Sequence, residues 1–342
     1  MTEAVQALDR VPAGWSALVA ADPSASPSHR PELWAAFAAV LPGLEWRLLA
    51  LEERGTLVAG APVMLERRGP FAWLHALPWL LPAPPLAGPG DHARADRALA
   101  RALAELAREH RAVGGTWSLY RPDGPPADEA ALAAVPGETR AIEAAVLRLT
   151  DGLATLRGRM SRKQRQAIDH ARARGYGFAE EPAALEEAYA LHLSQSRRWR
   201  RHRPLPLELS RRLVAADASE PLARLFTLRS GGELQSATLA LDGPHETFVW
   251  WSGTRPEGRR GQAFALLLWS IAEWAVARGR RRLNLGASPG LPQVAAFKGA
   301  LGAEGFRYPA HWLDASAAPW FGRRLAALQR AVRGRRAGGG EA

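Results

Sequence analysis

The sequence predicts an α+β fold of two kindred lobes, each a mixed sheet flanked by helices, and three observations predict it. A strand–turn–strand pattern occurs twice, at an offset of roughly 170 residues, and each copy leads on to a helical pattern and a further strand. The chain has 342 residues, about two domains' worth. Hydrophobic residues make up 47% of it, enough for a sizeable core and too many for a disordered chain.

The first copy reads WRLLALEERGTLVAGAPVML, two alternating apolar runs joined by a turn at Glu53, Arg54 and Gly55. The second reads RLFTLRSGGELQSATLAL, with the turn at Ser230, Gly231 and Gly232. Both turns carry glycine, for which positive φ costs little. Helical periodicity then runs over about Ala93–His110 in the first copy, followed by a strand at Thr116–Tyr120. In the second it runs over about Gln262–Arg278, followed by a strand at Arg281–Leu285. Phe264, Leu267, Leu268, Ile271 and Ala275 form one stripe of that second helix, and Gly279 stands where a left-handed terminator belongs. Between the copies, Ser161-Arg-Lys-Gln164 reads as a capping box that starts a helix running to Arg174, with only Ala167, Ile168 and Ala171 on its apolar face. Two more helical patterns lie between Ala183 and Ala216, split at Arg203–Pro206. The expected organisation is a first lobe over 1–150, a basic helical segment over 151–220, a second lobe with the donor site over 221–320, and a frayed basic tail over 321–342.

Composition removes several chemistries. Without cysteine there are no disulfides, thiolate nucleophiles, iron–sulfur clusters or cysteine-ligated zinc. The nine histidines are scattered without HxxxH or HExxH spacing, so no metal site is expected. No P-loop or GxGxxG pattern occurs. The opening MTEAVQALDR lacks the apolar core of a secretory signal, and the most apolar stretch, Phe71–Gly88, is broken by Pro78, Pro82, Pro84 and Pro85. The expectation is a soluble cytoplasmic protein without a transmembrane segment, with a peripheral seat at the inner membrane face as an option.

The net charge is +11, and only two of the 45 basic residues are lysine, Lys163 and Lys298. Basic residues cluster at Arg157, Arg159, Arg162, Lys163, Arg165, Arg172 and Arg174, again at Arg197–Arg203 and Arg278–Arg282, and in the tail from Arg323 to Arg336. These are either solvated faces of an arginine-rich composition or a surface for RNA or nucleotide phosphate, for which Arg159, Arg162, Lys163, Arg165 and Arg172 are the candidates.

Three motifs bear on chemistry. Gly286-Ala-Ser-Pro-Gly290 fits GxSxG, but Pro289 follows the serine and His311 precedes Asp314, so a plain strand-to-helix loop is expected. Trp250-Trp-Ser252 closes an aromatic strand and leads to a helix mouth at Arg259, Arg260, Gly261 and Gln262, suited either to a phosphate or to water. Lys298, in a chain that otherwise favours arginine, is the candidate for a compact ammonium that holds a phosphate or stabilises an oxyanion.

Taken together, the proline-rich LPWLLPAPPLAGPG, the basic SRKQRQAIDHARARG, WWSGTRPEGRRGQAFALLLWSIAEWAVARG and the Phe297-Lys298-Gly299 element resemble the FemAB-like family over roughly residues 30–310. That resemblance implies tandem GNAT-like lobes and amide formation from an activated ester or thioester. It implies aminoacyl-tRNA as donor and an amine acceptor of peptide, cell-wall-precursor or lipid-linked type, and acyl-CoA as the alternative donor. In either case the donor is a co-substrate, with no permanently bound cofactor. Lys298 then becomes the catalytic residue, with the donor held near Trp250, Trp251, Ser252 and Phe297. A degenerate fold that only binds RNA or an anionic surface is the non-catalytic alternative. Two positions depart from the family pattern: Asn284 stands where many relatives carry aspartate, and Gly258 where the pyrophosphate loop usually has Gln or Arg.

Overall fold

A computed structural model describes residues 5–69, 71–77, 81–197, 204–214 and 220–314. In chain order the elements begin β1 (Val5–Leu8), α1 (Trp15–Ala21), α2 (Pro31–Val40), β2 (Leu44–Glu53), β3 (Thr56–Arg68), β4 (Phe71–His75), β5 (Leu86–Ala87), α3 (His92–Glu109), β6 (Ala112–Ser118) and β7 (Gly137–Arg148). They continue with α4 (Gly152–Arg159), α5 (Arg162–Ala173), β8 (Gly177–Glu180), α6 (Leu185–Ser196), α7 (Leu207–Leu213), β9 (Ala223–Ser230), β10 (Glu233–Asp242) and β11 (Glu246–Thr254). The last are α8 (Pro256–Arg260), α9 (Ala263–Ala277), β12 (Arg282–Ala287), α10 (Pro292–Ala300) and β13 (Glu304–Asp314).

Among the described residues two compact units result, one of 5–24, 42–141 and 308–314, the other of 25–41 and 142–307. The division differs from the one expected. Residues 25–41 join the second unit, because α2 packs on α7. The basic segment is no separate linker, because Ile168 and Ala171 of α5, both fully buried, share one core with Leu267, Ile271 and Ala275 of α9. A two-residue apolar stripe is enough to dock a helix when each side chain is wholly removed from water, worth about 1.5–3 kcal/mol for an isoleucine. The expected tail 321–342 lies outside the described residues, as do Arg198, Arg200, Arg201 and Arg203.

The first unit's sheet runs β1-β2-β3-β4-β6-β13 and the second's β8-β9-β10-β11-β12-β7. Strand directions match position for position: three antiparallel pairings, then one parallel pair, β4/β6 in one unit and β11/β12 in the other. The last strand then runs antiparallel in each, β13 on β6 and β7 on β12. The duplication read from the sequence is therefore a duplication of sheets.

Local signals account for most element ends. Gly55 and Gly231 take φ +78° and +56° in the two hairpin turns. Ser161 accepts from Gln164 N–H and so starts α5. At the end of α9, Arg280 N–H donates to Ala275 O and Gly279 N–H to Val276 O, both 2.9 Å, a Schellman termination around Gly279 at φ +72°. One strand differs: β6 occupies Ala112–Ser118 instead of Thr116–Tyr120. Its Gly114-Gly115 pair lies in the strand, where a Cβ on Gly115 would stand 1.6 Å from Leu74 O. The described part of the proline-rich run, 81–87, is buried. Asp22 holds Ala87 N–H (2.9 Å) and pairs with His92, while Arg121 reaches Pro85 O (3.1 Å). Burial alone would raise the Asp22 carboxyl; hydrogen bonds from His92 and the Ala87 and Ser24 amides outweigh it and hold it at about 2. That run is a buried strut.

Candidate active site

The second unit's parallel pair shapes the site. β11 and β12 pair at Glu246↔Arg282, Thr247↔Leu283 and Phe248↔Asn284, where the register ends, although both strands continue. On its other side β11 pairs with β10, Leu239 opposite Trp251 and Ala240 opposite Val249, so Trp250 is an extra residue in a β-bulge. A bulge reverses the alternation of side chains beyond it. Val249 packs into the core beneath α9, and a regular strand would send Trp251 to the same face. Instead Trp251 lies against Tyr189 and His192 of α6, its Nε1–H donating to Ser210 Oγ of α7 (3.3 Å), and Trp250 sets its ring edge-on to Phe37 of α2.

Past Asn284, β12 folds back on itself. The Asn284 amide is fully buried: its Nδ2 donates to Glu246 Oε1 (3.3 Å) and its Oδ1 accepts from Gly286 N–H (2.8 Å). That internal bond turns the strand at Gly286, φ +74°. It aims the Gly286 and Ala287 carbonyls at Lys298, whose Nζ donates to them at 2.9 and 3.4 Å. Asn284 is thus a positioning residue for the carbonyl that seats the lysine. Gly286 lies against the Phe248 ring, and Phe297 stacks on Phe264 of α9 at 5.7 Å beside Lys298.

Lys298 is half-buried, and its hydrogen-bond partners are the two carbonyls. Burial lowers its pKa to about 8, since desolvation penalises the ammonium. At neutral pH it still carries its charge, with one N–H left over for an incoming anion. Ser288 of the GxSxG match sits in the loop before α10, and the one later histidine, His311, belongs to the first unit. The expected plain loop is what stands there.

The predicted helix mouth is built differently. A five-residue helix, α8, carries Arg259 and Arg260, and Gln262 takes φ +61° before α9 begins at Ala263. Arg260 pairs with Glu257 (2.6 Å), while Arg259 and Gln262 are exposed. Gly261 is buried under Tyr176, whose Oη would lie 1.9 Å from a Cβ. Gly258 is buried too, and a Cβ there would stand 2.5 Å from Gln235 O, so the Gln or Arg usual in a pyrophosphate loop has no room. Of the basic candidates, Arg159 pairs with Asp151 and Glu304, Arg165 donates to Met160 O, and Arg172 pairs with Glu273 (2.8 Å). Arg162 and Lys163 are exposed in the first turn of α5. A helix dipole opposes cations there by about 0.3–1 kcal/mol each.

Sequence reading missed His192 and Gln195 of α6. His192 Nδ1 donates to Ser252 O (2.9 Å), and Gln195 Oε1 accepts from Thr254 N–H (3.0 Å). The signal was Gly253, where a Cβ would stand 2.7 Å from His192 N: a glycine in an aromatic strand marks a helix lying directly on it.

Residues 154–299 match the family model described as Acetyltransferase (GNAT) domain. No curated protein matches by sequence. The fold is that of FemX, at TM-score 0.69 and 10% identity over 89% of this chain and 96% of that one. L-PGS from Bacillus licheniformis superposes at TM-score 0.54 and 12% identity, covering 90% and 92% of the two chains. The C-terminal domain of an Agrobacterium fabrum protein described as a lysylphosphatidylglycerol synthetase does so at 0.55 and 16%, covering 87% and 92%. The chain therefore carries, over residues 154–299, a stretch that matches a GNAT acetyltransferase domain. Its fold is the FemAB-like one, with a mixed sheet and flanking helices in each unit. Among the described residues no helix is long and apolar enough to cross a membrane.

Proposed function

We propose that the protein transfers an aminoacyl group from aminoacyl-tRNA to an amine acceptor, forming an amide. The observation that carries this reading is the Lys298 ammonium, seated on the Gly286 and Ala287 carbonyls beside the point where β11 and β12 stop pairing. The amine nitrogen attacks the ester carbonyl carbon, and the oxyanion that forms is stabilised by the Lys298 charge. The carbon–oxygen bond to the ribose then breaks, and the proton given up by the amine ends on the departing hydroxyl. An ester is already activated, so the protein's share is alignment plus charge stabilisation.

Two observations support tRNA over coenzyme A as donor. Gly258 leaves no space for the side chain that would help hold a pyrophosphate. Arg162 and Lys163 stand exposed at a helix start that disfavours them, as suits an external polyanion. Acyl-CoA is the second reading, favoured by the GNAT domain match itself. The test is to supply labelled aminoacyl-tRNA and, separately, acetyl-CoA with an amine acceptor. Label is expected in an amide-linked product only from charged tRNA; thiol release from acetyl-CoA without tRNA would replace this reading with the second.

A further inference from the structure

The open edge of β11 is already occupied by the protein's own side chains. Arg255 N–H donates to Gln235 O (3.0 Å), so the main-chain groups of Thr254 and Ser252, one and three residues earlier, point away from β10. That is the side on which β12 pairs lower in the strand and from which it departs beyond Phe248. In a splayed pair this stretch would offer a free carbonyl and a free amide to any extended, amide-bearing chain, which would bind as an added strand. Here His192 Nδ1–H fills the Ser252 carbonyl and Gln195 Oε1 the Thr254 amide. The two residues are three apart on α6 and so share a face, and Gly253 brings that face into contact with the strand. His192 is itself fixed, buried and set at a tilt against the Trp251 ring, 5.1 Å between centroids.

We propose that His192 and Gln195 set the donor class: by capping Ser252 and Thr254 they deny an edge to the pantetheine-type arm of an acyl-CoA, and so restrict the site to donors that reach Lys298 without pairing with β11. This rests on the acyltransferase reading and sharpens its choice of donor. Pantetheine carries two amide groups on an extended chain, the chemistry that adds to a strand edge. The terminal ribose ester of an aminoacyl-tRNA carries none along its arm and loses nothing at a capped edge.

The experiment measures acetyl-CoA affinity by titration calorimetry in the wild-type protein, Gln195→Leu, and the double variant His192→Ala/Gln195→Leu. Hydrogen exchange at the Thr254 amide reports directly on whether the edge has opened. The wild type is expected to bind weakly. Gln195→Leu should speed Thr254 exchange, and the double variant should bind acetyl-CoA about tenfold more tightly, as one or two regained hydrogen bonds would give. Tight binding by the wild type, or faster exchange without any gain in affinity, overturns the proposal. Should the double variant not fold, Gln195→Leu alone decides, through exchange and affinity together. If affinity rises as expected but neither donor is turned over by the wild type, the edge inference stands and the aminoacyl transfer reading falls.

Discussion

In the first unit the parallel pair β4/β6 holds to its end: His75 lies opposite Thr116, and Ala76 N–H continues the ladder to Thr116 O. In the second unit the equivalent pair β11/β12 stops at Phe248↔Asn284, and Asn284 takes the Gly286 amide for itself. One topology thus yields a closed seam and an open one. The difference comes from a few residues. Gly115 lets two backbones meet in the first unit, whereas a bulge at Trp250 and an amide side chain at 284 separate them in the second. Only the open seam is followed by a helix that presents a lysine, α10 with Lys298. A duplicated frame supplies the scaffold; local departures from its regular pairing supply the site.

The comparison breaks most sharply at Lys298. Lys298→Met is expected to lower turnover by about 10²–10³-fold with the denaturation midpoint unchanged, because on the proposed reading it removes one oxyanion stabiliser and the side chain packs no core. Steady-state kinetics with circular dichroism checks this, and an unchanged rate would remove Lys298 from the chemistry. Forcing the closed seam apart should act on stability instead. Gly115→Ala places a Cβ on Leu74 O and is expected to cost roughly 2–4 kcal/mol in urea unfolding, while turnover per folded molecule stays level. A collapse of turnover at full stability would mean that the first seam also serves the reaction.

The pH profile sharpens the contrast further. Lys298 is protonated below its lowered pKa, so turnover should be level near neutrality and fall about tenfold per unit as pH rises beyond about 8. A decline on the acid side instead would make the neutral amine, acting as a base, the working form. The smallest effect concerns the basic surface. Arg162→Ala with Lys163→Ala should weaken tRNA binding and reduce the slope of log affinity against log salt by roughly 1–2, whereas Arg172→Ala, already paired with Glu273, should leave the slope unaltered. Equal effects from both would mean that the ion pairs in this surface do not sort free from committed charge.

Local pattern carried a good part of this molecule. Alternating apolar runs around Gly55 and Gly231, the stripe from Phe264 to Ala275, the Ser161 cap and the Gly279 terminator are short-range features, written within a few residues and settled there. Lys298 stood out by residue type alone, against an arginine background. The seat of its ammonium, the bulge that turns Trp251 toward α6, the room denied at Gly258 and the pairing of Arg159, Arg165 and Arg172 were decided only by the fold. His192 and Gln195 lie some 60 residues from the strand edge they cap, and nothing in their own neighbourhood announces it. Hydrogen bonds and van der Waals contacts act over a few ångströms of space, so a residue's chemistry is fixed by its neighbours in three dimensions; the sequence lists those neighbours in order only where the chain turns back on itself within a turn or two.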